Sequence, residues 1–226
     1  MYSVDTVLNY YRAISEAIDF YKVGIQQDLH VAISDGNSKI GDVLNVSLPA
    51  IVTCGANCSH CMGTCYDIKA CMQYKNVMRA RARNYVIWMK EPDRYFNEID
   101  IAMNKRRNNK YLRFHVSGDI PSYDYFDRMV NLARNHPDFT IWTYTKQYDI
   151  VNGWVSRNGA YPSNLVIMYS QWPGLEMVNP HGAPEFRVVL KGQEKPKGNY
   201  CPGDCNVCMR NHSGCIGGQT MYCNEH

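Results

Sequence analysis

Apolar side chains between residues 5 and 24 fall at Val7, Tyr10, Tyr11, Ile14, Ala17, Ile18 and Tyr21. Steps of three and four along the chain place them on one face of an amphipathic helix. Asp35-Gly36-Asn37 and Gly41-Asp42 then read as turns, and Val43 to Val52 reads as extended chain delivering Cys54 into a loop. Beyond that loop, Ile68, Met72, Met78, Ala82, Tyr85 and Met89 keep helical spacing until Glu91-Pro92 ends it. A second helix is predicted from Asp93 to Asn104, with Phe96, Ile99 and Met103 inward. The pattern then changes period: strand Lys110 to Val116, helix Pro121 to Arg134, strand Phe139 to Tyr144, short helix Gln147 to Ser156, strand Leu165 to Ser170. A turn at Trp172-Pro173-Gly174 precedes a last strand, Phe186 to Leu190.

Strands alternating with helices predict an α/β fold with a parallel sheet and right-handed crossovers. About four such units are legible, too few for a complete eight-unit barrel, so a partial (β/α) barrel or an open parallel sheet is expected. The chain divides into a helical segment (1–34), an α/β core (35–195) and a cysteine-rich segment (196–226). In such folds ligands collect at the carboxyl ends of the strands. Those ends carry Cys54, then His115-Val116-Ser117-Gly118-Asp119, then Tyr144-Thr145-Lys146, then Ser170-Gln171, and are expected to meet in one pocket.

The 226 residues, 45% hydrophobic, suffice for a full core, and no apolar run is long enough to span a bilayer. Met1 leads into Tyr2-Ser3-Val4-Asp5 without the basic and apolar regions of a signal peptide, which points to a reducing cytoplasm. Net charge is +3, unevenly spread: Lys69 to Arg113 holds 12 Lys or Arg against four Asp or Glu. Such a basic stretch suits an anionic substrate, a nucleotide or nucleic acid, or is simply a solvated helix face.

Eight of the ten cysteines form two clusters, Cys54-x3-Cys58-x2-Cys61-x3-Cys65 and Cys201-x3-Cys205-x2-Cys208-x6-Cys215. A C-x3-C-x2-C loop can ligate three irons of a 4Fe–4S cluster and leave the fourth for a chelating ligand such as S-adenosylmethionine. Four thiols at the second cluster suit a closed site, a second iron–sulfur cluster or zinc. Cys71 reads as a small apolar helix residue and Cys223 as an idle thiol. His60, between two candidate ligands, could bind zinc or support the thiols. His115, within a strand, reads more readily as a core histidine than a catalytic one.

Cys54, Cys58 and Cys61 after the first strand, with Ser117-Gly118-Asp119 after a later one, resemble the motifs of radical S-adenosylmethionine enzymes. Here His60 stands where an aromatic residue is usual, Asp119 replaces a glutamate, and Cys65 is an added thiol. A closer resemblance, over about residues 35 to 215, is to the phage gene-product-88 family. It is carried by Gly36-Asn37-Ser38-Lys39, Ser47-Leu48-Pro49, Thr53-Cys54, Cys65-Tyr66, Arg83-Asn84, Ser117-Gly118-Asp119, Tyr144-Thr145-Lys146, and Cys201-Pro202 with Cys205 and Cys208. Together they imply a phage-type iron–sulfur protein acting in the bacterial host cytoplasm. Ligand sets Cys54/Cys58/Cys61 and Cys54/Cys61/Cys65 both stand. On the radical-enzyme reading, Ser117, Gly118 and Asp119 would bind the cofactor, Asp119 accepting from its ammonium and Gly118 allowing its close approach. Thr145 falls within the matching Tyr-Thr-Lys motif, Lys146 would pair with an anionic group, and Ser170 would bond ribose or carboxylate. The competing reading is a non-catalytic accessory protein, stapled by zinc or iron–sulfur sites, that binds nucleic acid or a host protein through its basic, tyrosine-rich stretch.

Overall fold

The computed structural model describes residues 1–23 and 29–225. Its elements are α1 (Val4–Val23), β1 (Ile33–Asn37), β2 (Gly41–Val46), α2 (Tyr66–Gln73), α3 (Lys75–Lys90), α4 (Pro92–Lys105), β3 (Tyr111–Phe114) and α5 (Tyr123–Asn135). They continue with β4 (Thr140–Thr145), α6 (Tyr148–Asn158), β5 (Leu165–Gln171), β6 (Glu185–Val189), α7 (Cys205–Asn211) and β7 (Met221–Asn224). Two short 3-10 turns, Ala56–His60 and Met62–Thr64, carry the first cysteine loop.

Seven strands form one sheet in chain order, β1 to β7. β1 and β2 are an antiparallel hairpin, and every later neighbour pairs in parallel. A strand order that never reverses means that each unit is added beside the last, the progression of a barrel rather than of a doubly wound sheet. The outer strands do not pair with each other, so the sheet is open.

Side-chain alternation separates two faces. Leu44, Val46, Leu112, Phe114, Ile141, Leu165 and Ile167 point into a core roofed by α3, α4, α5 and α6. A second apolar layer joins α1 to α2 and α3 through Tyr10, Ile14, Ile18, Ile68, Cys71, Ala82 and Val86. On the opposite sheet face, Val43 and Trp142 pack with Ile216, Cys208 and Met209, while Met168 and Tyr144 pack with Cys215 and Met221. The carboxyl-terminal segment therefore covers the face that the longer helices leave free.

Local chemistry fixes several boundaries. Ser122 caps α5 by accepting from Tyr125 N at 3.1 Å, and Pro92 opens α4, where its missing N–H costs nothing. The single helix expected over Ile68 to Met89 is broken at Tyr74, whose φ of −123° and ψ of 98° are extended. Extended chain after Val43 ends at Val46, short of the expected Val52. Six parallel strands are present where five were expected; the added one, β7, follows β6 through loops and α7 rather than through a long amphipathic helix. Cys223 is no idle thiol, being buried in β7, and the segment after residue 196 contributes this strand to the common sheet. Among the described residues no helix is long and apolar enough to cross a membrane.

His115 follows β3 and is a core histidine. Its Nδ1 lies 3.2 Å from Thr143 Oγ1 and its Nε2 3.2 Å from the Tyr125 hydroxyl, which meets Tyr95 Oη at 3.1 Å. Burial, aided by the charge of Arg113, pushes its pKa down to about 3, so it is neutral in the fold. An unfolded histidine, near 6.5, takes up a proton earlier. The resulting stability is whole above pH 6.5 and lost as pH falls toward 3. Denaturant unfolding between pH 6.5 and pH 4 should show this group removing up to about 3 kcal/mol. In His115→Phe the acid slope should be shallower by that amount. An unchanged slope would contradict the assignment.

Candidate functional site

The carboxyl ends of β2, β3 and β4 converge on the first cysteine loop. Thr53, buried, donates its hydroxyl to Pro49 O at 2.9 Å and accepts from Asp119 N at 3.2 Å, tying the root of the loop to the turn after β3. Asp119 in turn accepts from Thr145 Oγ1 at 2.6 Å and from Lys146 N at 2.8 Å at the end of β4. Asn57, inside the loop, donates to Lys146 O at 2.6 Å. Ser117 donates to Leu48 O at 2.9 Å and to Asp67 in α2. Ser170 is buried at the end of β5, its carbonyl accepting from the Tyr148 hydroxyl. Thus Ser117, Gly118, Asp119, Thr145 and Lys146 meet beside Cys54, as the strand-end argument expected.

Their roles differ in part from that expectation. With a third acceptor bond, from Ile120 N at 2.7 Å, the Asp119 carboxylate is largely consumed as a clamp between two strands. Burial raises its pKa to about 6 against the opposing pull of these donors. Gly118, at φ 79°, is wedged against the backbone of Leu48 and the hydroxyl of Thr53, so its missing side chain serves strand-end packing rather than the approach of a ligand. A Cβ there would stand 2.7 Å from Leu48 O and 2.6 Å from Thr53 Oγ1. Gly118→Ala is therefore expected to lower stability by about 2 kcal/mol or more, through strain in the left-handed region and the clash. A melting temperature equal to wild type would refute this packing.

Cys54, Cys58, Cys61 and Cys65 are all free and partly buried. Burial raises the pKa of Cys54 well above the ordinary thiol value, and the Asp119 charge adds to this. Cys61 and Cys65 also raise it, which places them within electrostatic reach of Cys54. Cys65 is the N-cap of α2, its sulfur beside the N–H groups of Asp67 and Ile68; burial raises its pKa and these donors oppose the rise. Among the described residues no three Cys, His, Asp or Glu side chains are gathered in metal-binding geometry. The donor set nevertheless fits a soft metal centre: four thiols in one loop, in no disulfide, with helix N–H groups available to a thiolate. His60 is exposed between them.

The second cysteine group lies at the opposite end of the sheet. Cys205 N donates to Lys39 O at 3.0 Å in the β1–β2 turn, Tyr111 Oη donates to Met209 O at 3.3 Å, and Cys201 N donates to Tyr222 O at 2.7 Å. Asp204 caps α7 by accepting from Asn206 N at 2.9 Å. Cys215 feels the charges of Cys201, Cys205 and Cys208, so these four thiols cluster electrostatically. Between the two cysteine groups, in the middle of β3, lies Arg113, its guanidinium 5.0 Å from the centre of the Tyr144 ring.

The sequence model of the family described as Gene product 88 matches residues 24–172. The chain belongs to the gene product 88 family. No curated protein and no solved structure matches it. The gene product 88 match takes in the first cysteine loop, Ser117-Gly118-Asp119, Thr145-Lys146 and Ser170, and ends before β6. Cys201, Cys205, Cys208 and Cys215 lie outside it, so the matched region is shorter at its carboxyl end than the resemblance over about residues 35 to 215. Sequence reasoning missed three site residues of this gene product 88 chain: Asp67, Tyr148 and Arg113. Strand parity alone could have found Arg113, since it alternates with Leu112 and Phe114.

Proposed function

We propose that this member of the gene product 88 family is an iron–sulfur enzyme of radical S-adenosylmethionine type, built at the carboxyl ends of its strands. The observation that carries the reading is the convergence of the Cys54–Cys65 loop with Asp119, Thr145 and Lys146. A 4Fe–4S cluster held by Cys54 and Cys61 with Cys58 or Cys65 would supply one-electron reduction of a sulfonium cofactor. The protein's own contribution is positional. Thr53 and Asp119 fix the loop root, Asn57 fixes its middle to β4, and burial shields Cys54 in particular. Among the described residues Lys146 forms no ion pair, and it is left to attract an anionic group beside the loop. Tyr148, within reach of the charges of Asp119 and Cys61, spends its hydroxyl on Ser170 O and so ties the end of β5 to α6 at the same rim.

Iron, sulfide and zinc analysis of protein purified without oxygen, followed by electron paramagnetic resonance of the reduced protein with and without S-adenosylmethionine, tests the reading. Iron with an S-adenosylmethionine-dependent shift, and 5′-deoxyadenosine formed under reduction, is the expected outcome. Zinc without iron would favour the second reading, a metal-stapled binding protein. That alternative draws on the placement of Cys201, Cys205, Cys208 and Cys215, where zinc or a second iron–sulfur cluster would pin α7 across the base of the sheet. Its partner would be nucleic acid or a host protein.

A further inference from the structure

A cavity of about 540 Å³ opens between α3, the turn after β3 and the root of the first cysteine loop. That volume lies within the roughly 300–1,000 Å³ of small-molecule sites. Its apolar lining is broad: Tyr85, Trp88 and Met89 from α3, Pro92 at the start of α4, and Pro121 before α5. Trp88 is 6% exposed and meets Tyr95, Phe96 and Tyr125 edge-on, with ring centres 6.0, 5.9 and 4.7 Å away. These contacts set the wall before any ligand arrives. Met89 is largely exposed and adds a thioether, which packs well against aromatic rings.

The polar groups of the lining are few, and they differ in what they have left to give. Thr53 has already spent its hydroxyl on Pro49 O and Asp119 N. Ser122 Oγ accepts from Tyr125 N at 3.1 Å and keeps its proton to donate. The backbone of Gln147 is fully engaged, its N–H with Thr145 Oγ1 and its carbonyl with Ile150 N and Val151 N. Its carboxamide, among the described residues, makes no hydrogen bond. It rests instead on Gly55, where an added Cβ would stand 3.2 Å from Gln147 Cδ, so the amide is held by contact with its polar edge unused. Asp124 accepts from Arg128 Nε through Oδ2 at 3.0 Å, which leaves Oδ1 without a bond. Arg128 is shared with Asp93, and no Lys, Arg or His lines the cavity.

We propose that this cavity binds a free nucleoside, with the base against the α3 wall, its edge paired to the Gln147 carboxamide and the ribose hydroxyls on Asp124. A carboxamide presents a donor beside an acceptor, which complements the adjacent acceptor and donor on a nucleobase edge. A carboxylate accepts from ribose hydroxyls, as it does in dinucleotide-binding folds. A lining with one acid and no cation offers nothing to a phosphate, so the chemistry fits a nucleoside and not a nucleotide. Neither the cysteines nor Asp119, Thr145 and Lys146 line the cavity, so the site goes beyond the cluster reading and does not rest on it.

Calorimetric titration of the full chain with adenosine, guanosine, cytidine and uridine tests this. Saturable binding of at least one of them is expected, with its 5′-monophosphate binding no more tightly. Gln147→Ala should weaken it by about tenfold or more. The matching 2′-deoxynucleoside should bind the wild type severalfold more weakly, and Asp124→Ala should abolish that difference. Should Gln147→Ala fail to fold, Asp124→Ala and the 2′-deoxynucleoside carry the comparison. Absence of saturable binding by the wild type overturns the proposal. So does unchanged affinity in Gln147→Ala, or a 2′-deoxynucleoside bound as tightly as the ribonucleoside. A 5′-monophosphate bound more tightly than its nucleoside would overturn the choice of an uncharged ligand. S-adenosylmethionine bound more tightly than adenosine, and lost in Gln147→Ala, would overturn the free nucleoside and assign the cavity to that cofactor.

Discussion

If the proposed cluster sits at the first loop, Cys54→Ala, isolated without oxygen, is expected to lack the roughly four iron and four sulfide per chain that the wild type would hold there. Cys54 is the test residue because it belongs to both ligand sets, with Cys58 and Cys61 or with Cys61 and Cys65. Its position is also the most constrained of the four. The preceding Thr53 is buried and bonded to both Pro49 and Asp119, so no neighbouring thiol can slide into its place. Cys58→Ala and Cys65→Ala then separate the two sets, the idle one of the pair leaving iron unchanged. Iron and sulfide contents in Cys54→Ala equal to wild type would remove the first loop as a cluster site. A fully zinc-loaded wild type would do the same.

The largest loss of stability is expected from Asp67→Ala. Asp67 is 1% exposed at the first turn of α2, accepts from the Ser117 hydroxyl and from Cys71 Sγ at 3.5 Å, and stands 3.5 Å from Arg81 Nε in α3. The arginine contact is an ion pair and not a hydrogen bond, since both Asp67 Oδ1 and Arg81 Nε lack hydrogen-bond partners. Removing the carboxylate strands a mostly buried guanidinium and a buried hydroxyl, at a cost of about 3 kcal/mol. For a chain of this size that is roughly 6–12 °C of melting temperature. Asp67→Ala with Arg81→Met should recover part of the loss, because the double variant leaves no unpaired charge. A single-variant cost below about 1 kcal/mol, or strict additivity in the double variant, would show the pair to be solvated.

Periodicity exposed the elements whose faces differ most. α4, α5 and β3 to β5 were legible because each has one face in the same core, with Phe96, Phe126 and Ile141 falling at regular steps. β7 was hidden by its brevity and by polar neighbours, and α7 by a sequence dominated by cysteine and asparagine. The break at Tyr74 carries no glycine or proline, so nothing local announced it. At the site, Ser117, Asp119, Thr145 and Lys146 were legible because polar residues at strand ends have few places to go. The position of Asp119 was legible, but its engagement with Thr145 and Lys146 was not, since that depends on β3 lying beside β4. Asp67 was missed for the same reason: it reads in sequence as an ordinary surface charge, and only tertiary packing buries it.

The contact between Cys205 and Lys39 also bears on how the chain is made. During synthesis β2 to β5 and their helices can fold from the amino terminus onward, as each parallel strand meets one already present. Val43 and Trp142 must wait, because Ile216, which covers them, comes from far along the chain. Until residues 205–221 leave the ribosome, one side of the nascent sheet presents an aromatic and aliphatic strip to the cell. Pairing over so long a sequence separation is slow, so this interval is when the protein is most exposed to aggregation or to capture by chaperones.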